Sequence, residues 1–468
     1  MVGLNLKGFM LAGAAATMAS ASAQQLLQQQ PLVLQDDQSG SAKAFNGKGA
    51  GEPATLGTQG CKEHRITAYE TVAGDVLFGP RTPNEHPTVG KLSGINSTSW
   101  EQWVFDSVSE TGSSGIFLSL GRDASYSFFG QGNLHVEFYA LLDDGTKIQE
   151  LAFVEVSSVY DCGEFVASTW TSSSHAFEFR VPKDAGAGGS SSSGGGAPTF
   201  AVRTPKFRGD FLLFGTAPGH FPNGALRASA GSSSTQLAPG LHMHSTIPAA
   251  QVRGNMTFKG REISYSGVGG HLHLWAIDNW FKIIWGFRIL RGSAGPYSFF
   301  YWEPTSRVGG RVPHYTAILF KDGKKLVSTQ AATPPSHQPQ GGDYVRVSAT
   351  QHGRGARASV ASRPASTGHV VEFWSAGGGH WRFELEHQHV QVQMPFGRNT
   401  GLAVFTNRVF GGEAGGCQYL GSAFSEEADF PETLAQWKIW LVYGIGMVGQ
   451  MKARVTSWLS SLGLESSN

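Results

Sequence analysis

Charged residues are scarce in this chain, and the two signs cancel. Only 15% of the 468 residues are charged, with 36 Lys and Arg against 35 Asp and Glu. A near-neutral balance gives no general electrostatic attraction to nucleic acid or to an anionic membrane surface. We therefore expect no nucleic-acid partner.

Long apolar runs are absent beyond the N-terminus. A membrane-spanning helix needs about twenty consecutive apolar residues, so no membrane span is expected. At the N-terminus, Lys7 precedes an apolar stretch over residues 8–18, and Ala21-Ser22-Ala23 follows. This order predicts a signal peptide over residues 1–23, and hence a protein of the secretory pathway or a secreted one. Sequons at Asn96 and Asn255 are typical of a glycoprotein.

Cysteine is rare as well, with only Cys61, Cys162 and Cys417. Three cysteines allow one disulfide and leave one thiol. One expected pairing is Cys61 with Cys417, which would connect the start of the folded body to its end. The pairing itself stays open.

Several common catalytic motifs are missing. The chain has no G-x-S-x-G, no P-loop and no G-x-G-x-x-G after a predicted strand, so the usual signs of hydrolases, kinases and dehydrogenases are absent. No cofactor is expected. Three His-x-His pairs each place two imidazoles on one strand face, but a zinc site needs a third ligand, and we expect no metal. The pairs are His242/His244, His271/His273 and His387/His389.

Glycine and phenylalanine are abundant, with 62 and 30 copies. Apolar residues alternate with period two over most of the chain, which is typical of strands. We predict an all-β fold of two antiparallel barrel-like or sandwich-like domains. The predicted parts are a flexible leader (24–62), an N-terminal β domain (63–250) with a disordered Gly/Ser loop (185–197), a C-terminal β domain (251–425) and a C-terminal helix (426–468). The helical periodicity runs from Pro431 to Leu462, and we expect this helix to pack outside the body.

Residues 267–304 hold four of the twelve tryptophans, together with His271, His273 and an Asp278-Asn279 pair. Trp and Tyr combine a large apolar face with one polar group, so such a segment suits a concave pocket for a mostly apolar organic ligand. The other interpretation is the core of a β sandwich.

Acidic residues are sparse, so those within aromatic strands are of interest. Glu101 and Asp106 flank Trp103 in SWEQWVFD, and Glu137 precedes Tyr139 in LHVEFYA. A buried carboxylate is costly unless it is paired or hydrogen-bonded. Any that face a pocket are candidates for holding a substrate's polar head, and a solvent-facing edge position is the alternative.

Taken together, WEQWVFDSVSETG, GVGGHLHLW, NWF and AGPYS resemble the fungal Diels-Alderases of polyketide and polyketide–nonribosomal peptide pathways. These enzymes are similar to hydroxyneurosporene synthase-like proteins and have two lipocalin-like β domains. The resemblance covers roughly residues 90–420, with two departures. Leu272 stands where the family often has a charged residue after the histidine, and the Gly/Ser loop 185–197 looks like an insertion. It implies a pericyclase that folds a hydrophobic polyene between the domains and closes a [4+2] ring without a cofactor, in secondary-metabolite biosynthesis.

The resemblance also implies roles for individual residues. Glu101 and Asn279 would orient the polar head of the substrate, and His271, or an arginine of the last strands, would donate a hydrogen bond to the dienophile carbonyl. Two other functions stay open: a hydratase or isomerase of an isoprenoid double bond with Asp106 or Asp278 as proton donor, and a non-catalytic lipid or terpene carrier. The expected substrate-binding residues are Trp103, Asp106, Glu137, Tyr139, Trp275, Trp280, Trp285 and Tyr297.

Overall fold

The computed structural model describes residues 56–77, 85–125, 131–183, 185, 197–226, 234–332, 342–351, 355–358, 366–397 and 400–431. The predicted signal peptide, most of the leader, almost all of the Gly/Ser loop and the helix expected after Pro431 lie outside these residues. The described residues all belong to one compact unit. No helix among the described residues is long and apolar enough to cross a membrane.

The first thirteen strands form one antiparallel sheet, here called sheet 1, in the order β1-β6-β7-β8-β9-β10-β12-β13-β2-β3-β4-β5, with β11 beside β12. Their bounds are β1 (Lys62–Thr67), β2 (Trp100–Ser109), β3 (Gly115–Asp123), β4 (Leu134–Leu141), β5 (Lys147–Phe153), β6 (Val156–Asp161), β7 (Phe165–Thr171), β8 (Ala176–Pro182), β9 (Thr199–Arg203), β10 (Phe207–Gly215), β11 (Gln236–Ala238), β12 (Leu241–Phe258) and β13 (Arg261–Ala276).

The remaining strands form sheet 2, also antiparallel, in the order β18-β17-β15-β14-β23-β22-β21-β20-β19, with β16 beside β15. One helical turn, α1 (Trp280–Ile283), connects the sheets. The strands are β14 (Ile284–Ala294), β15 (Tyr297–Ser306), β16 (Val312–Pro313), β17 (Thr316–Lys321), β18 (Lys324–Thr329), β19 (Tyr344–Thr350), β20 (Gly368–Trp374), β21 (His380–Gly397), β22 (Thr400–Glu413) and β23 (Gln418–Asp429).

Each sheet curls around its own core. Ile66 of β1 and Ile148 of β5, from opposite ends of the strand order, belong to the same buried cluster inside sheet 1. Val327 of β18 and Val345 of β19 do the same inside sheet 2. The predicted all-β class with two barrel-like units is therefore confirmed. The domain boundary near residue 250 stays a prediction; the chain passes from sheet 1 to sheet 2 between Ala276 and Ile284.

Two local expectations are wrong. The alternation that begins at Phe281 predicts a strand, but Trp280–Ile283 form a helical turn because the Asn279 side chain accepts a hydrogen bond from the Phe281 N–H. The expected Cys61–Cys417 bridge is replaced by Cys61–Cys162, and Cys417 is an exposed thiol. The reason is topological: β1 pairs with β6 in a register that sets residue 62 opposite residue 161.

Candidate functional site

Strands β2 and β13 pair with each other, and each has two buried faces. Side chains alternate along a strand, so Glu101, Trp103 and Phe105 enter the core of sheet 1 while Trp100 and Val104 face sheet 2. In the same way, His271, His273 and Trp275 of β13 lie on the opposite face from Leu272 and Leu274, which face sheet 2. The residues expected in one site are therefore divided between two places.

A polar network lies inside sheet 1. His273 Nε2 is 2.9 Å from Glu101 Oε1, and its Nδ1 is 2.8 Å from the Pro87 carbonyl oxygen. The ring also stacks on Trp103 with centroids 4.8 Å apart. Neither Glu101 nor His273 is exposed to solvent. Both ring nitrogens therefore face an acceptor, the Glu101 carboxylate on one side and the Pro87 carbonyl on the other.

Arg122 completes this network from β3. Its guanidinium donates to Ser157 Oγ at 3.0 Å and to the His64 carbonyl at 3.0 Å. Burial by itself would raise the pKa of Glu101, but the hydrogen bond with His273 and the charges of His273 and Arg122 lower it below 4.5. Burial lowers the pKa of Arg122 to about 10, so the guanidinium is charged at neutral pH.

The loop of residues 85–95 supplies backbone partners to this interior. The Trp103 indole donates to the Thr88 carbonyl at 2.8 Å, and the Lys91 N–H donates to Glu101. The unexposed His271 has its Nδ1 3.0 Å from the Val104 carbonyl and its Nε2 3.5 Å from Thr88 Oγ1. Burial lowers the pKa of His271 to about 3, so the ring is neutral. The interior of sheet 1 therefore holds Glu101, His271, Trp103 and Trp275. There these side chains contact other residues of the protein.

The second place is the layer between the sheets, here called the inter-sheet cluster. Phe117 of β3 stacks on Tyr139 of β4 and on Phe424 of β23, with centroids 5.8 and 5.9 Å apart. At the other end, Trp100 stacks on Trp280 at 4.4 Å. The cluster's main members are Trp100, Val104, Val108, Phe117, Tyr139, Leu241, Met243, Leu272, Leu274, Phe287, Ile289, Phe300, Trp302, Ile318, Phe320, Val392, Val404, Phe424 and Ala428, with Trp280 and Met394 at its margin.

Few polar groups enter this layer. Asp106 of β2 forms an ion pair with Arg291 of β14, and each side chain is 3% exposed. Gly270 allows this approach, because a Cβ there would lie 2.9 Å from the Arg291 guanidinium and 2.2 Å from the Ile247 carbonyl oxygen. The Tyr139 hydroxyl donates to Glu137 at 3.4 Å.

Two carboxyl groups of this layer were not singled out from the sequence. Burial and the charge of Glu137 raise the pKa of Glu426 to about 8, and burial together with Glu137 raises the pKa of Asp123 to about 6. Glu426 and Glu427 stand side by side in FSEEADF. Two adjacent acids in an apolar strand must point to opposite faces. This pattern could have indicated from the sequence that one of the two carboxyl groups is buried.

The other expected site residues lie apart. Asn279 caps α1, and Trp285 lies between Arg307 and Arg311, whose guanidinium carbons are each 3.9 Å from its ring centroid. Tyr297 packs in the core of sheet 2 against Phe383 at 5.9 Å.

His244 and His273 are partners in the β12–β13 pairing, but the His-x-His pair of β21 is split. His387 is buried against Phe405, whereas His389 is exposed, because a register shift in the β21–β22 pairing separates them. Among the described residues, no group of three or more His, Cys, Asp or Glu side chains is placed to hold a metal ion.

Comparison with known proteins identifies the family. The Diels-Alderase-like family model matches residues 58–431. Diels-Alderase mycB of Thermothelomyces thermophilus is 38% identical over 86% of this chain and 90% of its own length, and hexane cyclase pydB of an Acremonium species is 37% identical over the same shares. The crystal structure of CghA with Sch210972 has the same fold, with a TM-score of 0.68 at 23% identity over 79% of this chain and 99% of that chain. The chain belongs to the Diels-Alderase-like family.

Proposed function

We propose that this protein is a pericyclase that binds a flexible polyene in the layer between its two sheets and closes a ring by an intramolecular [4+2] cycloaddition, in fungal secondary metabolism. Relatives named Diels-Alderase and hexane cyclase support the reaction class. The main observation in favour of this binding site is the inter-sheet cluster. It is an aromatic and aliphatic layer that contains only a few polar groups.

The chemistry requires little from the protein beyond shape and a few dipoles. In a concerted cycloaddition, three π bonds become two σ bonds and one π bond, and no proton is transferred. Bringing diene and dienophile together is mainly an entropic problem, which a rigid apolar wall solves by restricting the conformers of the chain. The stacked rings of Phe117, Tyr139 and Phe424 provide such a wall.

Asp106 supports this layer rather than acting as an acid. Its carboxylate is neutralised by Arg291 from the opposite sheet, so it has no proton to give while the pair persists. We infer that Asp106, through this ion pair, holds the two walls in a fixed position relative to each other.

A direct assay tests the proposal. Purified protein is incubated with a linear chain that carries a conjugated diene and, three methylenes away, an unsaturated ketone. We expect a bicyclic isomer of unchanged mass, formed faster and with higher stereoselectivity than without protein. Phe424→Ala should lower both, whereas Phe410→Ala, an exposed position on β22, should leave both unchanged. Recovery of unchanged ligand would identify a carrier instead.

Hydration of a double bond is the second candidate, because it requires a buried acid and the raised pKa values of Asp123 and Glu426 supply two. A product that has gained one water in the same assay would favour it. An Asp123→Asn variant that still forms the bicyclic isomer would argue against it.

We also propose that the chain enters the secretory pathway. The Cys61–Cys162 disulfide supports this, since such bonds persist mainly in oxidising compartments. Asn255 lies exposed on β12 and is the better glycosylation candidate, because the Asn96 side chain accepts hydrogen bonds from the backbone of Thr98 and Ser99. N-terminal sequencing and a glycosidase mobility shift on protein from the native host test this. An intact Met1 with no shift would contradict it.

A further inference from the structure

Glu426 is a carboxyl group in apolar surroundings. On β23 it lies between Ile289 of β14 and Val404 of β22, which are its direct partners in the two strand pairings. Its neighbours along the same face are Phe424 and Ala428, and all four belong to the inter-sheet cluster. The residue is only 8% exposed.

Within the described part of the chain, Glu426 has no hydrogen-bond or ion-pair partner. By contrast, its neighbour Glu427, on the other face of β23, accepts from His369 at 2.6 Å and from Arg288 at 3.1 Å. Removing a carboxyl group from water without a partner costs free energy, and this desolvation is the main cause of the raised pKa of Glu426. Packing gives no reason for an acid at this position, because Leu or Met would fill the same space without that cost.

The groups across the layer offer Glu426 no positive charge. From β4, it faces Glu137 and Tyr139, and these two are hydrogen-bonded to each other. From β3, Asp123 lies next to Glu137. Arg291 of β14 is paired with Asp106 of β2.

Burial and the nearby Glu137 charge therefore keep Glu426 protonated at neutral pH, since its pKa is raised to about 8. A protonated carboxyl group is a hydrogen-bond donor. It faces an apolar layer in which none of the described residues accepts a hydrogen bond from it. The missing acceptor is then expected on the ligand.

We propose that the carboxyl group of Glu426 donates a hydrogen bond to a carbonyl oxygen of the substrate. This inference rests on the proposed cyclisation. The hydrogen bond withdraws electron density from the alkene joined to that carbonyl, and it stabilises the negative charge that develops on the oxygen in the transition state. No proton leaves Glu426, so the product remains an isomer of the substrate.

The test compares three forms of the protein with the same ketone-bearing chain. Glu426→Gln keeps a neutral N–H donor of similar size at every pH, and Glu426→Met keeps the length without a donor. Glu384→Met, on the exposed face of β21, is the matched control. The rate is measured from pH 6 to 9, together with the unfolding temperature of each variant.

We expect the wild-type rate to fall above about pH 8, where the Glu426 carboxyl group ionises. The decrease should approach a factor of about ten for each pH unit. Glu426→Gln should remove this fall. At pH 7, Glu426→Met should react about 10- to 100-fold more slowly. It should nevertheless unfold at a higher temperature, because a desolvated carboxyl group has been removed. A merely structural glutamate would not give lower activity with higher stability.

A spectroscopic measurement completes the test. The infrared stretch of the bound ketone product, labelled with carbon-13 at the carbonyl, should lie at lower frequency in wild type and Glu426→Gln than in Glu426→Met. Equal frequencies and equal rates in wild type and Glu426→Met would overturn the role of Glu426 while leaving cyclisation intact. If the wild type forms no isomer from this chain, the proposed function fails instead.

Discussion

Asp106 on β2 and Arg291 on β14 form an ion pair that directly connects the two sheets. Both side chains are almost completely buried. Burial lowers the pKa of Arg291 to about 9, so the guanidinium still carries its charge at neutral pH. The pair is therefore a charged contact within a largely apolar layer, and its loss should affect both walls of the proposed site.

Removal of one partner should destabilise the protein strongly. Asp106→Asn leaves a buried, uncompensated Arg291, which typically costs about 3–5 kcal/mol. The double variant Asp106→Leu with Arg291→Met should lose less than the single variant, because no charge remains. Urea unfolding measures wild type, Asp106→Asn, the single variants Asp106→Leu and Arg291→Met, and the double variant. A double variant that loses the sum of the two single losses would show that the ion pair is not the coupled unit described here.

Gly270→Ala should disturb the same contact from a different side. The added Cβ would meet the Ile247 carbonyl oxygen at 2.2 Å and the Arg291 guanidinium at 2.9 Å, so backbone or Arg291 must move. We expect lower stability and lower cyclisation selectivity. Gly163→Ala, where a Cβ meets nothing within 4 Å but φ is 78°, controls for the general effect of losing a glycine and should change stability only.

Glu101→Gln should destabilise the protein in a pH-dependent way. The pKa of Glu101 is lowered in the folded state, so its carboxylate contributes stability above about pH 4.5, and that contribution is lost as the pH falls through the folded-state pKa. The gap between wild type and variant in urea unfolding should be large at pH 7 and shrink at pH 4. A gap that stays constant would mean that charge is not the cause. Glu384→Gln serves as the exposed control.

Trp280 and Trp275 should respond differently to truncation. Trp275 is fully buried within sheet 1, and Trp275→Ala should cost about 3–5 kcal/mol of stability. Trp280 is partly exposed and stacks on Trp100 at the margin of the inter-sheet cluster. Trp280→Ala should therefore reduce stereoselectivity more than stability. Product ratios and unfolding temperatures of both variants check this, and a larger stability loss in Trp280→Ala would contradict it.

Reduction of the disulfide should lower the unfolding temperature. Cys61 and Cys162 are 101 residues apart, and closing a loop of that length is worth up to about 4.7 kcal/mol in the chain-entropy account. Cys162→Ser should unfold at a lower temperature with or without reductant. Cys417→Ser should behave as wild type and remain sensitive to reductant. Equal behaviour of the two variants would refute the pairing.

The sequence by itself determined the fold class, because alternation and turn chemistry are local. Lys259-Gly260 is a turn sequence between two alternating runs, and both residues adopt positive φ at the tip of the β12–β13 hairpin, at 49° and 77°. The motifs around Trp103, His271 and Tyr297 were sufficient for the family. These features depend on residues close together in the chain.

Only the tertiary structure decided which buried face each residue occupies. Alternation places Glu101 and Asp106, five positions apart in β2, on opposite faces. When both faces of a strand are covered, however, hydrophobicity does not tell which face meets which layer. The same limit applied to Glu426, whose partners Ile289 and Val404 come from strands paired across the sheet. Its protonation follows from those non-local neighbours and from Glu137 across the layer, because the pKa of a carboxyl group depends on the surroundings that folding brings to it.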